Sequence, residues 1–497
     1  MEIRDENKLK KFSDFALNHV KDKVDYADLL IENISKIETK LLPDGQELVV
    51  PYSSKAAMQL RLIKDKKHIE VSLGMETEEK MKDSINTVLK ILETGKPDED
   101  YGLAEIPNPK KQKYGKQLKS DLREIDTSNK MSAIIAGVKE LAEKISKENK
   151  VEIKPEVWFF SQIEEKIIAD TQGIYKTQVL PTTFLQVFVK VKKENKMSQF
   201  RMREADIEEI SLVLENDKLK PKIVEKIKDV MDKAIKLLSA RELTKEELNN
   251  LTHYVLTPST MVFVHEAQGH NFEADIIKEG GSGLLKSNGK PIVEKIASEI
   301  VDIYDAPLME NGKFNWDKGF GSQYIDDEGV EIKPVQLIKN GKIVNKLHNR
   351  ETAHYYNEEP NGRGFSELGD QRVVRMTNTF ITPAEDIKSQ ELDELLKDVK
   401  LGILLEGSLG GQVSKDGMAT SLQIGYLIKD GTLTKIVLLP ANMAVATRTA
   451  LLTAEGFSGE VEIPDGGFCG KAGQTKFVTD GGPIVKIRVS DSINLAY

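Results

Sequence analysis

A chain of 497 residues is too long for one hydrophobic core, so two domains are expected. Charged residues make up 30% of the chain, no apolar run approaches the ~20 residues that span a bilayer, and a net charge of −9 argues against direct nucleic acid binding. The single cysteine, Cys469, excludes an intrachain disulfide. Together with the lack of an apolar secretory signal in the first twenty residues, it favours a cytoplasmic location away from membranes.

Residues 1–240 are predicted to form an α+β domain in which helices are interleaved with a sheet. Apolar residues recur at helical spacing in residues 5–22, 77–93, 131–147 and 212–238. Strands are predicted in residues 26–31, 48–50, 58–63, 68–71, 157–160, 165–169 and 184–191. The segment contains no glycine-rich phosphate loop and no His, Asp or Glu cluster with ligand spacing. We therefore interpret this half as a structural domain that contributes shape and surface and carries no catalytic or metal-binding residues.

Residues 241–497 are predicted to form a second domain that is largely antiparallel sheet. The dipeptides Asn340-Gly341 and Asp430-Gly431 each lie between short apolar runs and predict type I′ hairpins. A strand is expected at residues 484–489, and helices at residues 349–356 and 386–402. The fold class is therefore α+β in two domains, with the second domain carrying the motif helix described next.

The chain is organised around residues 262–270, which contain two histidines in the order His265-Glu266-x-x-x-His270. A zinc hydrolase needs this chemistry, because imidazoles hold a Lewis-acidic metal and a carboxylate takes a proton from the metal-bound water. Histidines five residues apart lie about 140° apart around a regular α-helix. Two backbone geometries would bring both histidines to the same side: a single π-type turn, or a helix that ends early at Gly269. Two ordinary polar residues near a helix end are the alternative interpretation.

A zinc site built on this motif needs a third ligand, and Cys469 is the candidate. It lies in residues 465–474, a glycine-dense segment that we predict to be a loop before the final strand. A lone cysteine in a cytosolic protein is ordinarily an inert small hydrophobe. Flanking glycines favour another role, because a thiolate on a tight turn completes a His2Cys set with one open position. The spacing permits this contact without establishing it.

Other polar segments in this half each have two interpretations. Asp326-Asp327-Glu328-Gly329 could be a cation loop, but it lacks the regular oxygen spacing of an EF-hand, which favours a turn. Arg363 lies on a glycine-flanked turn, where it either meets a substrate carboxylate or carbonyl or is a surface residue. The remaining histidines of this half are interpreted as satisfied core or surface residues: His253, His348 and His354.

Five segments together make the second half similar to the TldD/PmbA family of metalloproteases, also described as modulators of DNA gyrase. They are, in order, residues 265–270 with Glu273 and Asp275, then residues 326–329, 375–379, 410–413 and 469–474. The resemblance covers residues 255–476. It implies zinc held by His265, His270 and Cys469, with Glu266 as the general base. Asn271 and Gly364 depart from the family pattern, where a glycine and a second arginine are usual.

The resemblance also implies a dimer, either of one chain or of a motif-bearing chain with a motif-less paralogue. The leading hypothesis is a zinc-dependent peptidase that acts on unfolded or extended polypeptide. The alternatives are a non-catalytic regulatory or scaffold subunit that binds a protein partner, and a zinc hydrolase of small amides. We expect the substrate to add as a strand to an exposed sheet edge. The candidates for lining its groove are the hairpins at Asn340-Gly341 and Asp430-Gly431 and the loop at residues 361–364.

Overall fold

In the computed structural model, which describes residues 6–75, 77–109, 113–122, 125–310 and 313–496, the first half is built on one long-stranded sheet. Its strands are β1 (Tyr26–Leu41), β2 (Glu47–Lys64), β3 (Lys67–Leu73), β4 (Lys113–Gly115), β5 (Glu152–Asp170), β6 (Tyr175–Lys193) and β7 (Lys196–Asp206). They are ordered β3-β2-β1-β5-β6-β4, and β7 pairs with β6. A separate small pair consists of β8 (Leu214–Glu215) and β9 (Lys218–Leu219).

The helices of this half cover the sheet with their apolar sides. They are α1 (Glu6–Val20), α2 (Glu78–Thr94), α3 (Thr127–Asn149) and α4 (Pro221–Leu237). Helix α2 begins where the Thr77 side chain accepts a hydrogen bond from the backbone N–H of Lys80. Helices α1 and α2 pack on β1, β2 and β3, whereas α3 and α4 pack on β5, β6 and β7. The predicted α+β character of this half is confirmed.

Two predicted pairs of strands are single long strands in the structure. Residues 157–160 and 165–169 both lie in β5, because Ser161 and Gln162 between them are buried instead of forming a turn. Residues 48–50 and 58–63 both lie in β2, whose pairing with β1 shifts register between Lys36 and Glu38. A strand that is buried on both faces lacks the polar alternation by which strands are recognised in a sequence.

The second half is a large sheet in which antiparallel pairs dominate. The first eight strands are β10 (His253–Leu256), β11 (Val301–Asp305), β12 (Leu308–Glu310), β13 (Lys313–Asn315), β14 (Val335–Lys339), β15 (Lys342–Ile343), β16 (Gly364–Phe365) and β17 (Val373–Val374). The others are β18 (Asn378–Pro383), β19 (Leu401–Val413), β20 (Gly417–Lys429), β21 (Thr432–Leu438), β22 (Asn442–Ala446), β23 (Ala454–Lys471), β24 (Gln474–Arg488) and β25 (Ile493–Ala496).

The order of this sheet is β15-β14-β11-β18-β24-β10-β19-β20-β22-β25, with β21 beside β20 and β23 beside β24. Two neighbouring pairs, β10 with β19 and β18 with β24, are parallel. Strands β12 and β13, and likewise β16 and β17, form small pairs of their own. Short helices lie between the strands: α5 (Lys245–Asn249), α6 (Ala274–Lys278), α7 (Arg350–Tyr356) and α8 (Leu392–Leu396). None of the helices in the described part of the chain is long and apolar enough to cross a membrane.

Both predicted hairpins are confirmed. Asn340 and Gly341 join β14 to β15 with φ values of 48° and 75°, and Asp430 and Gly431 join β20 to β21 with φ values of 47° and 78°. Positive φ at both central positions is what a type I′ turn requires. The helix predicted over residues 386–402 is wrong except in α8, because from Leu401 onward the backbone already pairs with β20.

The two halves meet through buried charges. The guanidinium of Arg61 in β2 donates to Asp28 in β1 and, at 2.7 Å, to the Glu328 carboxylate of the second half. The ammonium of Lys166 in β5 donates to Asp327 at 2.6 Å. Residues 326–329 form a turn, as favoured above. The Gly329 N–H donates to the Asp326 carbonyl, and Gly329 has a φ of 79°. The domain boundary predicted at residue 240 falls between the two sheets and stays a prediction.

Candidate metal centre

The helix that carries the motif is not a regular α-helix. Residues Val264–Gln268 form a π-helical turn, and a 3-10 turn over Gly269–Phe272 follows directly. The backbone N–H of Gly269 donates to the carbonyls of Val264 and His265, so the wider i to i+5 bond is present. Of the two geometries predicted for the motif, the π-type turn is therefore the one found. Gly269 has an ordinary right-handed φ of −52°, and it serves packing, since a Cβ there would collide with the sulfur of Met376.

Cys469 lies on a strand, so the predicted loop over residues 465–474 is wrong. It pairs with Lys476 in the long hairpin of β23 and β24, whose tip is Ala472 and Gly473 with φ values of 53° and 79°. The glycines of this segment allow close approach of neighbours rather than a flexible loop. A Cβ on Gly466, for example, would lie 2.5 Å from the Cβ of Ala205.

The structure brings the three predicted ligands together. Donor atoms of His265, His270 and Cys469 all lie within 4.8 Å of one another, and the Cys469 Sγ is 3.3 Å from His270 Nε2. The two imidazole rings are nearly perpendicular, with centroids 5.1 Å apart. Tetrahedral zinc bonds of about 2.0–2.3 Å place donor atoms roughly 3.3–3.8 Å apart. The donor types therefore fit zinc, and the Sγ–Nε2 distance lies in this range, whereas donor atoms as far apart as 4.8 Å would move closer around a bound ion.

The electrostatics of the cluster favour the metal-binding form of the cysteine. Burial raises the pKa of Cys469, but the charges and hydrogen bonds of His265 and His270 outweigh it and hold the pKa well below its ordinary value. Burial lowers the pKa of His265, yet the thiolate outweighs that effect and the pKa is raised. A thiolate is the form of cysteine that binds metals.

Glu266 faces the same cleft from the wall opposite β23. One of its carboxylate oxygens lies 3.9 Å from His270 Nε2. The cleft has a volume of about 200 Å³, and Cys469 and His265 line it with Glu266. Gly411 in β19 touches this carboxylate side chain so closely that a Cβ there would lie 2.7 Å from the Glu266 Cγ. A proton acceptor and two of the three potential metal donors thus share one cavity, and the third donor, His270, lies directly behind it.

A carboxylate behind the cluster orients His270. Glu273 is fully buried, and its carboxylate accepts from His270 Nδ1 at 2.9 Å, which leaves Nε2 directed towards Cys469. Lys471 lies 3.1 Å from the same carboxylate and also donates to Asp275. Burial raises the pKa of Glu273, but Lys471 and His270 outweigh it and lower the pKa to about 2. Carboxylates in this position fix the tautomer of a metal-binding histidine.

A second buried network holds the strand beneath the cluster. Asp305 accepts hydrogen bonds from the hydroxyls of Thr377 and Thr379. It also accepts one from Arg363, which is fully buried and donates to the Lys333 carbonyl. Both interpretations offered for Arg363, a substrate contact or a surface turn, are therefore wrong. The flanking glycines suggested an exposed turn, whereas Arg363 forms hydrogen bonds with buried acceptors.

The two departures from the family pattern have structural explanations. Asn271 is buried, and its side chain donates to the Ala267 carbonyl and accepts from Gly283 N–H, which fixes the end of the motif turn. A Cβ on Gly364 would lie 2.7 Å from a Glu328 carboxylate oxygen, so an arginine does not fit there. Neither position enters the cleft.

The other histidines are satisfied, as interpreted. His253 is buried and contacts Thr252 and Glu455, and His348 is buried and contacts Thr352 and Glu358. His354 is exposed.

Sequence reasoning placed the cleft walls wrongly. Among the described residues, neither predicted hairpin nor the loop at residues 361–364 lines the cleft. Its walls are formed by residues 408–411 of β19 and 466–469 of β23, together with Arg201 and Arg203 of the first half. The two arginines alternate along β7 with Phe200 and Met202, which pack into the core of the first half, and no sequence signal showed that the opposite face of β7 meets the second half.

The second half matches a known family. Residues 251–489 fit the family model described as the PmbA/TldA metallopeptidase C-terminal domain. A metalloprotease of Methanothermobacter thermautotrophicus is 38% identical over 259 residues, 52% of each chain. A zinc metalloprotease TldD homolog of Saccharolobus solfataricus is 30% identical over 237 residues, 47% of this chain and 49% of the relative. The chain thus spans about half the length of the curated relatives it matches.

Solved structures share the fold of the whole chain. TldE from Thermococcus kodakarensis superposes with a TM-score of 0.70 at 17% identity, covering 99% of this chain and 100% of that one. A putative modulator of DNA gyrase from Thermotoga maritima gives a TM-score of 0.71 at 17% identity, covering 98% and 100%. The matched domain is that of a metallopeptidase family. That family is TldD/PmbA, and residues 251–489 of this chain belong to it, while the solved structures share the fold of the whole chain.

Proposed function

We propose that this chain is a zinc-dependent metallopeptidase that hydrolyses peptide bonds in unfolded or extended polypeptides. The observation that carries the proposal is the convergence of His265, His270 and Cys469 within 4.8 Å, beside a cleft that is lined by Glu266 and two of these residues. The names of the relatives, metalloprotease and zinc metalloprotease TldD homolog, support the same assignment.

In this proposal the two imidazoles and the thiolate hold the metal, and Glu266 moves protons. A bound zinc ion supplies Lewis acidity, which polarises a carbonyl and lowers the pKa of water to about 7. Glu266 takes the proton of the attacking water and passes it to the leaving amine nitrogen. Glu273 keeps His270 in the tautomer that presents Nε2 to the cleft.

The shape of the cleft supports an extended substrate. Strand β19 pairs with β10 only from Gly402 to Leu405, so among the described strands its residues 406–413 pair with β20 alone. Strand β23 similarly pairs with β24 on one edge. A polypeptide in strand conformation can pair with such an edge through its main chain, without demanding a particular sequence. Pairing of this chain with a second subunit, and its cytoplasmic location, stay predictions from the resemblance and the composition.

The test combines one substitution with one substrate in two states. Glu266→Gln removes the proton acceptor and keeps the side-chain volume, so we expect hydrolysis of an unfolded protein to be abolished while zinc content stays that of the wild type. The wild type should cleave the unfolded chain and spare the same protein when folded. Equal cleavage by Glu266→Gln would refute the general-base role, and loss of zinc in that variant would make Glu266 a ligand.

A further inference from the structure

Beside Glu266, strand β19 contains an irregularity with a glycine at each end. Its register with β20 shifts between Ser408 and Gly411, and Gly407 and Gly410 adopt φ values of 73° and 117°. A bulge of this kind redirects backbone groups, and bulges are frequent next to active sites. The backbone N–H and carbonyl groups of this segment therefore point in directions that a regular strand would not give them.

The bulge is held from the first half of the chain. The guanidinium of Arg201 in β7 donates to the Ser408 carbonyl at 2.6 Å and to the Leu409 carbonyl at 3.4 Å. The backbone of Arg201 is itself fixed by Gln423 of β20, which accepts from its N–H at 2.7 Å and donates to its carbonyl at 3.1 Å. One arginine thus ties the open edge of β19 to a second, rigid strand.

Two serine side chains also fix the backbone of the bulge. Gly407 N–H donates to Ser259 Oγ at 2.9 Å, and Gly410 N–H donates to Ser408 Oγ at 3.1 Å. The next residue, Gly411, is the one that touches the Glu266 side chain. Beyond it, Gln412 and Val413 continue along the edge of β19. The position of this edge relative to the general base therefore depends on how firmly the bulge is held.

We propose that Arg201 is a positioning residue: it occupies the Ser408 and Leu409 carbonyls and thereby holds residues 411–413 of the β19 edge in place for main-chain pairing with an extended substrate. This inference rests on the proposed function. It assigns the first half an indirect part in substrate binding, because Arg201 acts from β7 on a strand of the catalytic half. Arg203, on the same face of β7, donates to the Gly466 carbonyl at 3.1 Å and does the same for the opposite wall.

The test separates pairing with the edge from chemistry at the metal. Kinetics are measured on an extended, end-labelled decapeptide, and inhibition is measured with acetohydroxamate, which needs only the metal. Arg201→Ala should raise KM for the decapeptide about tenfold, since hydrogen bonds from a charged donor are lost, with little change in kcat. The inhibition constant of acetohydroxamate and the zinc content should match the wild type. Arg201→Lys should give an intermediate KM, because an ammonium reaches one of the two carbonyls.

Arg241→Ala is the matched control, because Arg241 pairs with Glu247 outside the cleft and its loss should leave KM unchanged. If Arg201→Ala does not fold, Gln423→Ala should show the same rise in KM, since it frees the backbone of Arg201. Equal losses in decapeptide cleavage and acetohydroxamate binding, or an unchanged KM, would overturn the proposal. A wild type that binds zinc and acetohydroxamate but cleaves no peptide would instead refute the proposed peptidase function.

Discussion

At the scale of single residues, the carboxylate behind His270 is as important as the proposed ligands. Glu273 has no exposed surface and bonds the imidazole nitrogen that faces away from Cys469. The histidine therefore cannot rotate or change tautomer without breaking a buried hydrogen bond to a carboxylate, which is costly. The neighbouring Lys471 balances the charge of this carboxylate.

We predict that Glu273→Gln lowers zinc affinity by about 10–100-fold, because the amide accepts a weaker hydrogen bond and no longer fixes the tautomer of His270. Competition with a chromogenic chelator measures the zinc dissociation constant. Glu266→Gln is the matched control, an identical change one residue from His265 that should leave the constant unaltered. Equal constants for Glu273→Gln and the wild type would remove Glu273 from the site.

Sequence reasoning at this scale succeeded for one set of residues and failed for another. His265, Glu266 and His270 stood out because their types and spacing belong to one chemistry, and Cys469 because it is the only cysteine. Arg363 was misjudged because buried arginines are uncommon, and a glycine-flanked one reads as a surface turn. Its partner Asp305 is 58 positions away in the chain, which no local pattern records.

At the scale of elements, the close approach of β19 to the motif helix sets the geometry of the cleft. Gly411 leaves no room for a side chain, so the Glu266 carboxylate rests directly against the backbone of the strand. The carboxylate and the substrate edge are thereby held at a fixed separation.

We predict that Gly411→Ala lowers kcat about 100-fold, because the new methyl group displaces the Glu266 side chain by a fraction of its length. Zinc content should stay unchanged, since the atoms nearest the added methyl group belong to Glu266 and Met418 rather than to a proposed ligand. Gly74→Ala is the control, because its added methyl group meets no described atom within 4 Å. Wild-type kcat in Gly411→Ala would show that the Glu266 carboxylate is free to move.

Elements were predictable where local rules decide them. The hairpins at Asn340-Gly341 and Asp430-Gly431 follow from backbone conformation alone, and the five-residue spacing of the histidines left two geometries open, of which the π-type turn is the one found. The strand at Cys469 was not predictable in this way. Its glycines suggested a loop, whereas Gly466 is needed because Ala205 of the first half packs against it. Tertiary packing overrode local propensity there.

At the scale of the whole molecule, buried charges join the halves. Asp28 interacts with Arg61 and Arg372 of opposite halves, at 2.9 Å and 2.6 Å. Burial raises the pKa of Asp28, but Arg372 and Arg61 outweigh it and the pKa is lowered. A carboxylate with a lowered folded-state pKa stabilises the fold above its unfolded pKa of about 3.9, and this contribution is lost as the pH falls further.

We predict that Arg61→Met lowers the free energy of unfolding by about 3–5 kcal/mol, because it leaves Glu328 buried without this cation and removes one of the arginines that pair with Asp28. Urea denaturation at pH 7 measures the change. Lys66→Met is the control, because its ion pair with Glu99 is exposed and contributes under about 1 kcal/mol. A comparable small effect for both variants would mean that the halves are held together mainly by apolar contacts.

The two-domain α+β organisation could be anticipated from length and composition, but the joint between the halves could not. The acidic turn at residues 326–329 was recognisable as a turn, while its partners, Arg61 and Lys166, lie in the other half. Sequence spacing carries no information on which distant cations such carboxylates meet. The contribution of β7 to the cleft was missed for the same reason.

The central claim is a zinc ion held by His265, His270 and Cys469, and the metal content of Cys469→Ser tests it most directly. Serine keeps the size of the side chain and replaces the thiolate by a much weaker ligand, so the fold should persist. After dialysis at equal protein concentration, elemental analysis should find one zinc per chain in the wild type and a sharply lower content in the variant. Full zinc retention in Cys469→Ser would contradict the account.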